Sequence, residues 1–289
     1  MTTGVRRAAV AGAFYAGAPA ELRAQIEAAF RHPVGPGRLP EVDPAGPRQV
    51  VGLVAPHAGY VYSGPVAAHA YAALAADGRP EVAVILGPSH YGLGTVVSVS
   101  PADGWETPLG MVAVDRALAD AIATALPWPA VSAAAHELEH SIEVQLPFLQ
   151  YLYGDGLRIV PIAMTEQSLA VASTLGLALG RALAGRNAVV IASTDLTHYE
   201  PQSSAIQKDD LALAAMVDFS AARLFEIAPR YASVCGPGPV AAALLACREL
   251  GAKHAAVLQH ATSGDVAGDK RRVVGYAALA ISRERVPAD

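Results

Sequence analysis

Three short apolar runs mark buried strands. They are Val50-Val51-Gly52-Leu53-Val54-Ala55, Val82-Ala83-Val84-Ile85-Leu86-Gly87 and Ala188-Val189-Val190-Ile191-Ala192-Ser193. Each is rich in β-branched residues, free of charge and bounded by Pro or polar residues. A strand covered on both faces reads as such an unbroken run, whereas a half-exposed strand alternates. Further strands are predicted over 157–163, 255–259 and 273–281, with an extended segment at 95–100. Helical periodicity fills the intervals. Residues 20–30 place Leu22, Ile26 and Phe30 on one face. Residues 116–126, 141–153 (despite Pro147), 168–184, 203–218 and 220–228 also read as helices. Pro65 is expected to open a helix through 76, and Pro239 another to about 250, because proline suits a first helical turn. Residues 33–47, rich in Pro and Gly, read as a surface loop. Alternating strands and helices predict a single α/β domain over 1–289, with a central, largely parallel or mixed sheet flanked by helices.

A histidine stands just beyond each of the three runs: His57, His90 and His198. Open α/β sheets bind ligands beyond the carboxyl ends of their strands. Three imidazoles in the same local context suggest convergence on one site, as a metal cage or as acid–base machinery. Pro56 disfavours helix at Ala55 and Gly59 permits a tight turn, so His57 is presented at a strand end. His90 leaves its strand through Gly87-Pro88-Ser89 in a similar way. The third exit, Ser193-Thr194-Asp195-Leu196-Thr197-His198-Tyr199, carries a carboxylate as well. Asp195 either orients His198 and raises its basicity, or caps the following turn.

Cys235 precedes Gly236-Pro237-Gly238-Pro239 and a predicted helix. A helix amino terminus lowers a thiol's pKa, and a thiolate is a soft metal ligand. The alternative is a buried, inert cysteine. Cys247 lies mid-helix among Leu244, Leu245 and Leu250, and is assigned to packing. A helix rises about 1.5 Å per residue, so the two cysteines stand too far apart to bridge. Unbridged cysteines fit a reducing, cytoplasmic setting.

Residues His136-Glu137-Leu138-Glu139-His140 match the His-Glu-x-x-His pattern of zinc proteases. No third zinc ligand is evident nearby, and the match falls at a loop-to-helix junction, so chance is the favoured account. The segment 264–270 reads either as a loop over the pocket or as an ordinary solvent loop. Composition narrows the rest. The chain is 53% hydrophobic and 16% charged, with a net charge of −5 and no basic block. That excludes disorder and argues against nucleic-acid binding. The run after Arg6-Arg7 is short, broken by Gly12 and mostly alanine, so it reads as an ordinary first segment rather than a secretion signal. No stretch qualifies as a membrane span.

Taken together, several segments resemble the Memo family, in particular its prokaryotic members called AmmeMemoRadiSam system protein B. They are Ala11-Gly12-Ala13-Phe14-Tyr15, Ala55-Pro56-His57-Ala58-Gly59-Tyr60, Gly87-Pro88-Ser89-His90, Glu139-His140-Ser141-Ile142-Glu143, the Ser193–Tyr199 segment, Val234-Cys235-Gly236 and Thr262-Ser263-Gly264-Asp265. Each is weak alone; their order and spacing are specific. That family is similar in fold to class III extradiol dioxygenases, the LigB-like non-haem iron enzymes. The resemblance implies that His57 and His90 are metal ligands, with Cys235 where the dioxygenases have a carboxylate. It places His198, with Asp195, near the acid–base position, and His140 along the site wall. It implies iron or copper, with zinc as a further option, and a redox role. A thiolate is softer than a carboxylate, which counts against ring cleavage. Two other readings are a non-catalytic module that binds a peptide or protein in the same crevice, and a metal-dependent hydrolase. Besides an unidentified small molecule or peptide, the resemblance suggests AMMECR1-like and radical-SAM proteins as partners.

Overall fold

The apolar runs do become covered strands. A computed structural model describes residues 4–231 and 233–285, and eleven strands within them join in one mixed sheet. They are β1 (Val5–Arg6), β2 (Val50–Ala55), β3 (Val82–Pro88), β4 (Val97–Val99), β5 (Gly104–Thr107), β6 (Gly110–Val114), β7 (Arg158–Met164), β8 (Ala188–Ser193), β9 (His198–Glu200), β10 (His254–Thr262) and β11 (Val273–Ser282). The order across the sheet is β1-β5-β6-β7-β3-β8-β2-β11-β10, with β4 beside β7 and β9 beside β11. The central block β6-β7-β3-β8-β2 is parallel, and β11 and β10 extend it antiparallel. Every residue of β2, β3 and β8 is buried, which explains their unbroken apolar sequences.

Helices cover the sheet. Pro237–Glu249 packs against β8, β3 and β2, and Leu169–Leu183 packs on that helix. Tyr60–Ala76 packs against β11, β10 and β2, and Pro19–Arg31 lies on it. Gly52 of β2 permits the close approach of Pro237–Glu249. A Cβ at that position would fall 2.4 Å from Cys247 Sγ. Cys247 is fully buried there, as its apolar neighbours predict, and both cysteines are free thiols.

Several boundaries differ from expectation, among them the helix expected from Pro239, which starts at Pro237, and the unexpected hairpin of β5 and β6; three others have a clear local reason. The helix expected to open at Pro65 begins at Tyr60, where Phe14 O accepts the Tyr60 N–H at 2.7 Å; Pro65 is accommodated inside it. The helix expected over 141–153 is confined to Leu146–Tyr153, with Pro147 in its first turn. Residues 141–142 lie outside any helix and Glu143–Gln145 form a single 3₁₀ turn. The segment after Thr262 is not a loose loop: Ser263–Ala267 forms a short helix closed by a reciprocal cap between Thr262 and Asp265. The first segment is part of the fold, since β1 pairs with β5. No helix among the described residues is long and apolar enough to cross a membrane.

Candidate metal centre

Because β2, β8 and β3 are adjacent and parallel, their carboxyl ends share one edge. The chain leaves that edge through three loops. The first carries His57, the second His90, and the third Asp195 and His198. Cys235 arrives from elsewhere, between the helices Ala221–Tyr231 and Pro237–Glu249. Its loop is tied to the β8 exit: Cys235 N–H donates to Asp195 O at 3.2 Å, and Gly236 N–H to Thr194 Oγ1 at 2.9 Å. One donor atom from each of His57, His90 and Cys235 lies within 4.8 Å of the others. His57 Nε2 is 3.2 Å from Cys235 Sγ.

A hydrogen-bond network sets which nitrogen of each imidazole is bare. Ser193 Oγ donates its one proton to Ser141 O at 2.6 Å. It accepts from Gln145 Nε2 at 2.8 Å, and Gln145 is itself oriented by Pro56 O at 3.0 Å and the Tyr71 hydroxyl at 2.6 Å. Ser193 can therefore only accept from His57 Nδ1, 2.9 Å away. The proton sits on Nδ1, and the lone pair of Nε2 faces the thiol. His90 is held by Glu139, whose carboxylate accepts the His90 backbone N–H at 2.6 Å and faces Nδ1 at 2.9 Å. Glu139 also accepts the Ser141 N–H at 2.9 Å. Burial opposes ionisation of Glu139, but the His90 side chain and the two backbone N–H groups outweigh it and hold the carboxyl down at about 2. The His90 Nδ1–H is thus a donor to a carboxylate, the usual support of a metal-binding imidazole.

Burial dominates the remaining charges. His57 is driven well below its ordinary pKa by burial, then by neighbouring His140 and His90. The expectation of an acidified thiol at the helix terminus is overturned. Burial, with the nearby Asp195 carboxylate, pushes the Cys235 thiol up to about 12 in the metal-free protein. Asp195 is itself raised to about 7 by burial, despite accepting the His57 N–H at 2.7 Å.

Asp195 therefore caps the His57 turn and does not orient His198. His198 Nδ1 instead pairs with Leu196 O at 2.7 Å, and among the described residues His198 belongs to no candidate ligand group. His140 stacks on His90, with ring centroids 4.4 Å apart, and lies 5.4 Å from the His57 ring. It forms a second, overlapping group with His90 and Glu139. His136 is elsewhere. It is buried against Trp105 with Nε2 on Ser98 O at 3.0 Å, and its helix, Ala134–Glu137, ends before His140. The two histidines do not share a helix face, which removes the structural basis of a zinc-protease motif.

These shifts give a pH dependence in the metal-free protein. His136 and His140 are both held down at about 4, chiefly by burial, with Arg6 acting on the first and His90 on the second. An unfolded histidine titrates near about 6.5. Between those values the unfolded state binds more protons, so stability falls as pH falls. Asp195 acts oppositely, because its folded pKa is raised: its contribution falls as pH rises towards about 7. Two histidines, joined by His57, outweigh one aspartate. Urea denaturation of chelator-treated protein should show a loss on the order of 3 kcal/mol between pH 6.5 and 4.5. A flat profile would contradict the neutral-histidine account.

Comparison with known proteins identifies the scaffold that carries this geometry. The family model described as Memo-like protein matches residues 6–280. The chain belongs to the Memo-like family. A MEMO1 family protein of Ignicoccus hospitalis is 50% identical over 281 residues, covering 95% of this chain and 98% of the relative. One from Methanopyrus kandleri is 49% identical over 281 residues, covering 96% and 99%. The crystal structure of the uncharacterized protein JW3007 from Escherichia coli K12 aligns with a TM-score of 0.47 at 14% identity, over 79% of this chain and 99% of that one.

In this Memo-like chain the supporting residues are less visible in sequence than the imidazoles. Glu139, Ser193 and Gln145 are each buried and each bonded to residues remote along the chain. The available signal for Glu139 is a charge beside His140 in the Glu139–Glu143 segment. Ser193, the last residue of an apolar strand, gives none.

Proposed function

We propose that this protein binds a redox-active transition metal, iron or copper, through His57, His90 and Cys235. The observation that supports this most is the network behind the imidazoles: Ser193 and Glu139 take the two Nδ1–H groups, leaving both Nε2 atoms as lone-pair donors. Metal–donor bonds of about 2.0–2.3 Å leave an N/S pair roughly 3.5 Å apart in a tetrahedral site. The His57–Cys235 separation of 3.2 Å is of that order. The donor set therefore fits a soft or borderline metal.

Bound there, iron or copper would supply electron transfer and a position for an exogenous ligand. The protein's own residues do the rest. Glu139 and Ser193 fix the rings, and His140 walls the site. His198, with Nδ1–H on Leu196 O, keeps Nε2 available to take or give a proton. Asp195 holds the turn that presents His57. The raised thiol pKa means that metal binding must expel the Cys235 proton, so affinity should rise with pH. Protein purified anaerobically without chelator should carry about one iron or copper per chain. Oxygen uptake with added catechols then distinguishes an oxidoreductase from a metal protein without turnover. Metal-free protein that still binds a partner would favour the binding-module reading.

A further inference from the structure

Behind the His198 loop lies a second buried acid–imidazole pair that no step above uses. Asp209, on the helix Gln202–Val217, is fully buried. Its Oδ1 accepts the Thr197 N–H at 2.9 Å, and its Oδ2 meets His260 Nε2 at 2.9 Å. Room for the carboxylate comes from Gly275 on β11, where a Cβ would fall 2.0 Å from Asp209 Oδ2. The same glycine clamps the loop from the other side: its N–H donates to Thr197 O at 2.8 Å, and its O accepts the Leu196 N–H at 2.8 Å. His198 follows immediately and pairs with Val274 of β11. Leu196, Thr197 and His198 are thus fixed by one carboxylate and one glycine.

We propose that Asp209 and His260 are positioning residues for His198, holding its loop in register through a buried carboxylate hydrogen-bonded to the Thr197 N–H. Three separate elements meet at Asp209: the helix that carries it, β10 through His260, and the β8 exit through Thr197. A buried carboxylate must be hydrogen-bonded wherever it sits; what singles out Asp209 is that one of its two donors is the backbone of the residue just before His198. The charged and titratable neighbours of His198 are few. Asp209 favours its protonated form and His90 disfavours it, and His57 lies within electrostatic reach; Leu196 O accepts at Nδ1, and Tyr199 lies edge-on with ring centroids 5.6 Å apart. Among the leading influences on His198, Asp209 is the carboxylate, and it reaches the loop through the Thr197 N–H. The proposal rests on the reading of His198 as the acid–base group.

The test is an NMR titration of the histidine rings in the full-length, chelator-treated chain, with the His198 signal assigned by its loss in His198→Gln. Asp209→Asn removes the charge while keeping an acceptor for Thr197. It should lower the His198 midpoint by about half a pH unit or more. His260→Leu removes the imidazole that shares the Asp209 carboxylate with the Thr197 N–H, leaving more of its field on the loop, and should move the midpoint upwards. His260→Leu unpairs a fully buried carboxylate, so urea denaturation first establishes that it is folded; His260→Gln, which keeps a donor towards Asp209 without an imidazole, is the second variant and should move the midpoint the same way. Opposite shifts in Asp209→Asn and the His260 variants support the proposal. An unchanged midpoint in the His260 variants, or shifts of the same sign as in Asp209→Asn, overturns it. The titration needs no metal, and metal content of the same variants is measured separately. Loss of the metal reading would therefore leave this result standing.

Discussion

Glu143→Ala should cost about 3–5 kcal/mol of stability, the usual penalty for stranding one partner of a buried ion pair. Glu143 is fully buried and accepts from four groups of the amino-terminal segment: Arg6 Nη1, Ala9 N–H at 2.8 Å, Val10 N–H at 3.1 Å and the Tyr15 hydroxyl. Arg6 is buried too, and also donates to His136 O at 2.9 Å and Glu139 O at 2.7 Å. Removing the carboxylate leaves the buried Arg6 guanidinium without its counter-charge, held only by two carbonyls, and leaves the Ala9 and Val10 N–H groups without their acceptor. The damage should reach the site, because this segment sets Phe14 against His140, with ring centroids 4.6 Å apart. Glu143→Gln, which keeps an acceptor oxygen, should lose less. Urea denaturation of the two variants at neutral pH measures both effects. A loss below about 1 kcal/mol in Glu143→Ala would show that the segment is held by other contacts.

Glu139→Gln should weaken metal binding by about 10- to 100-fold, the range for losing a partner behind a metal-bound histidine. Both carboxylate oxygens of Glu139 are used, one by His90 Nδ1 and Ser141 N–H, the other by His90 N–H. An amide offers one oxygen and one NH₂ group, so one of those donors must then face another donor. The His90 ring loses its orientation and the carboxylate acceptor of its Nδ1–H. Competition with a chelator of known affinity reads the change. Wild-type affinity in Glu139→Gln would mean that His90 needs no such support.

The fold was largely legible because its core strands are covered on both faces, and such strands are written as unbroken apolar runs. Their parallel pairing brought three strand exits to one edge, so the closeness of His57 and His90 followed from pattern and topology. The misplaced helix starts have a different origin. Proline rules are local, and Tyr60 is set as a helix start by a carbonyl contributed from Phe14. The partners inside the site were barely legible: Glu139 stood out only as a charge beside His140, and Ser193 and Gln145 gave no signal. Ser193 and His57 are 136 residues apart, and Glu143 and Arg6 are 137 apart. No periodicity encodes such pairings. The Cys235 thiol shows the same limit in energetic form: its place before a helix was readable, but burial, which sequence position does not report, outweighs the helix dipole.

The central claim is that Cys235 completes a metal site with His57 and His90. Metal content by elemental analysis, comparing wild type with Cys235→Ser after expression without added metal or chelator, tests it most directly. The account predicts about one iron or copper per wild-type chain, and a strong loss in Cys235→Ser with the fold retained. Full metal occupancy in Cys235→Ser, or no metal in the wild type, would contradict it.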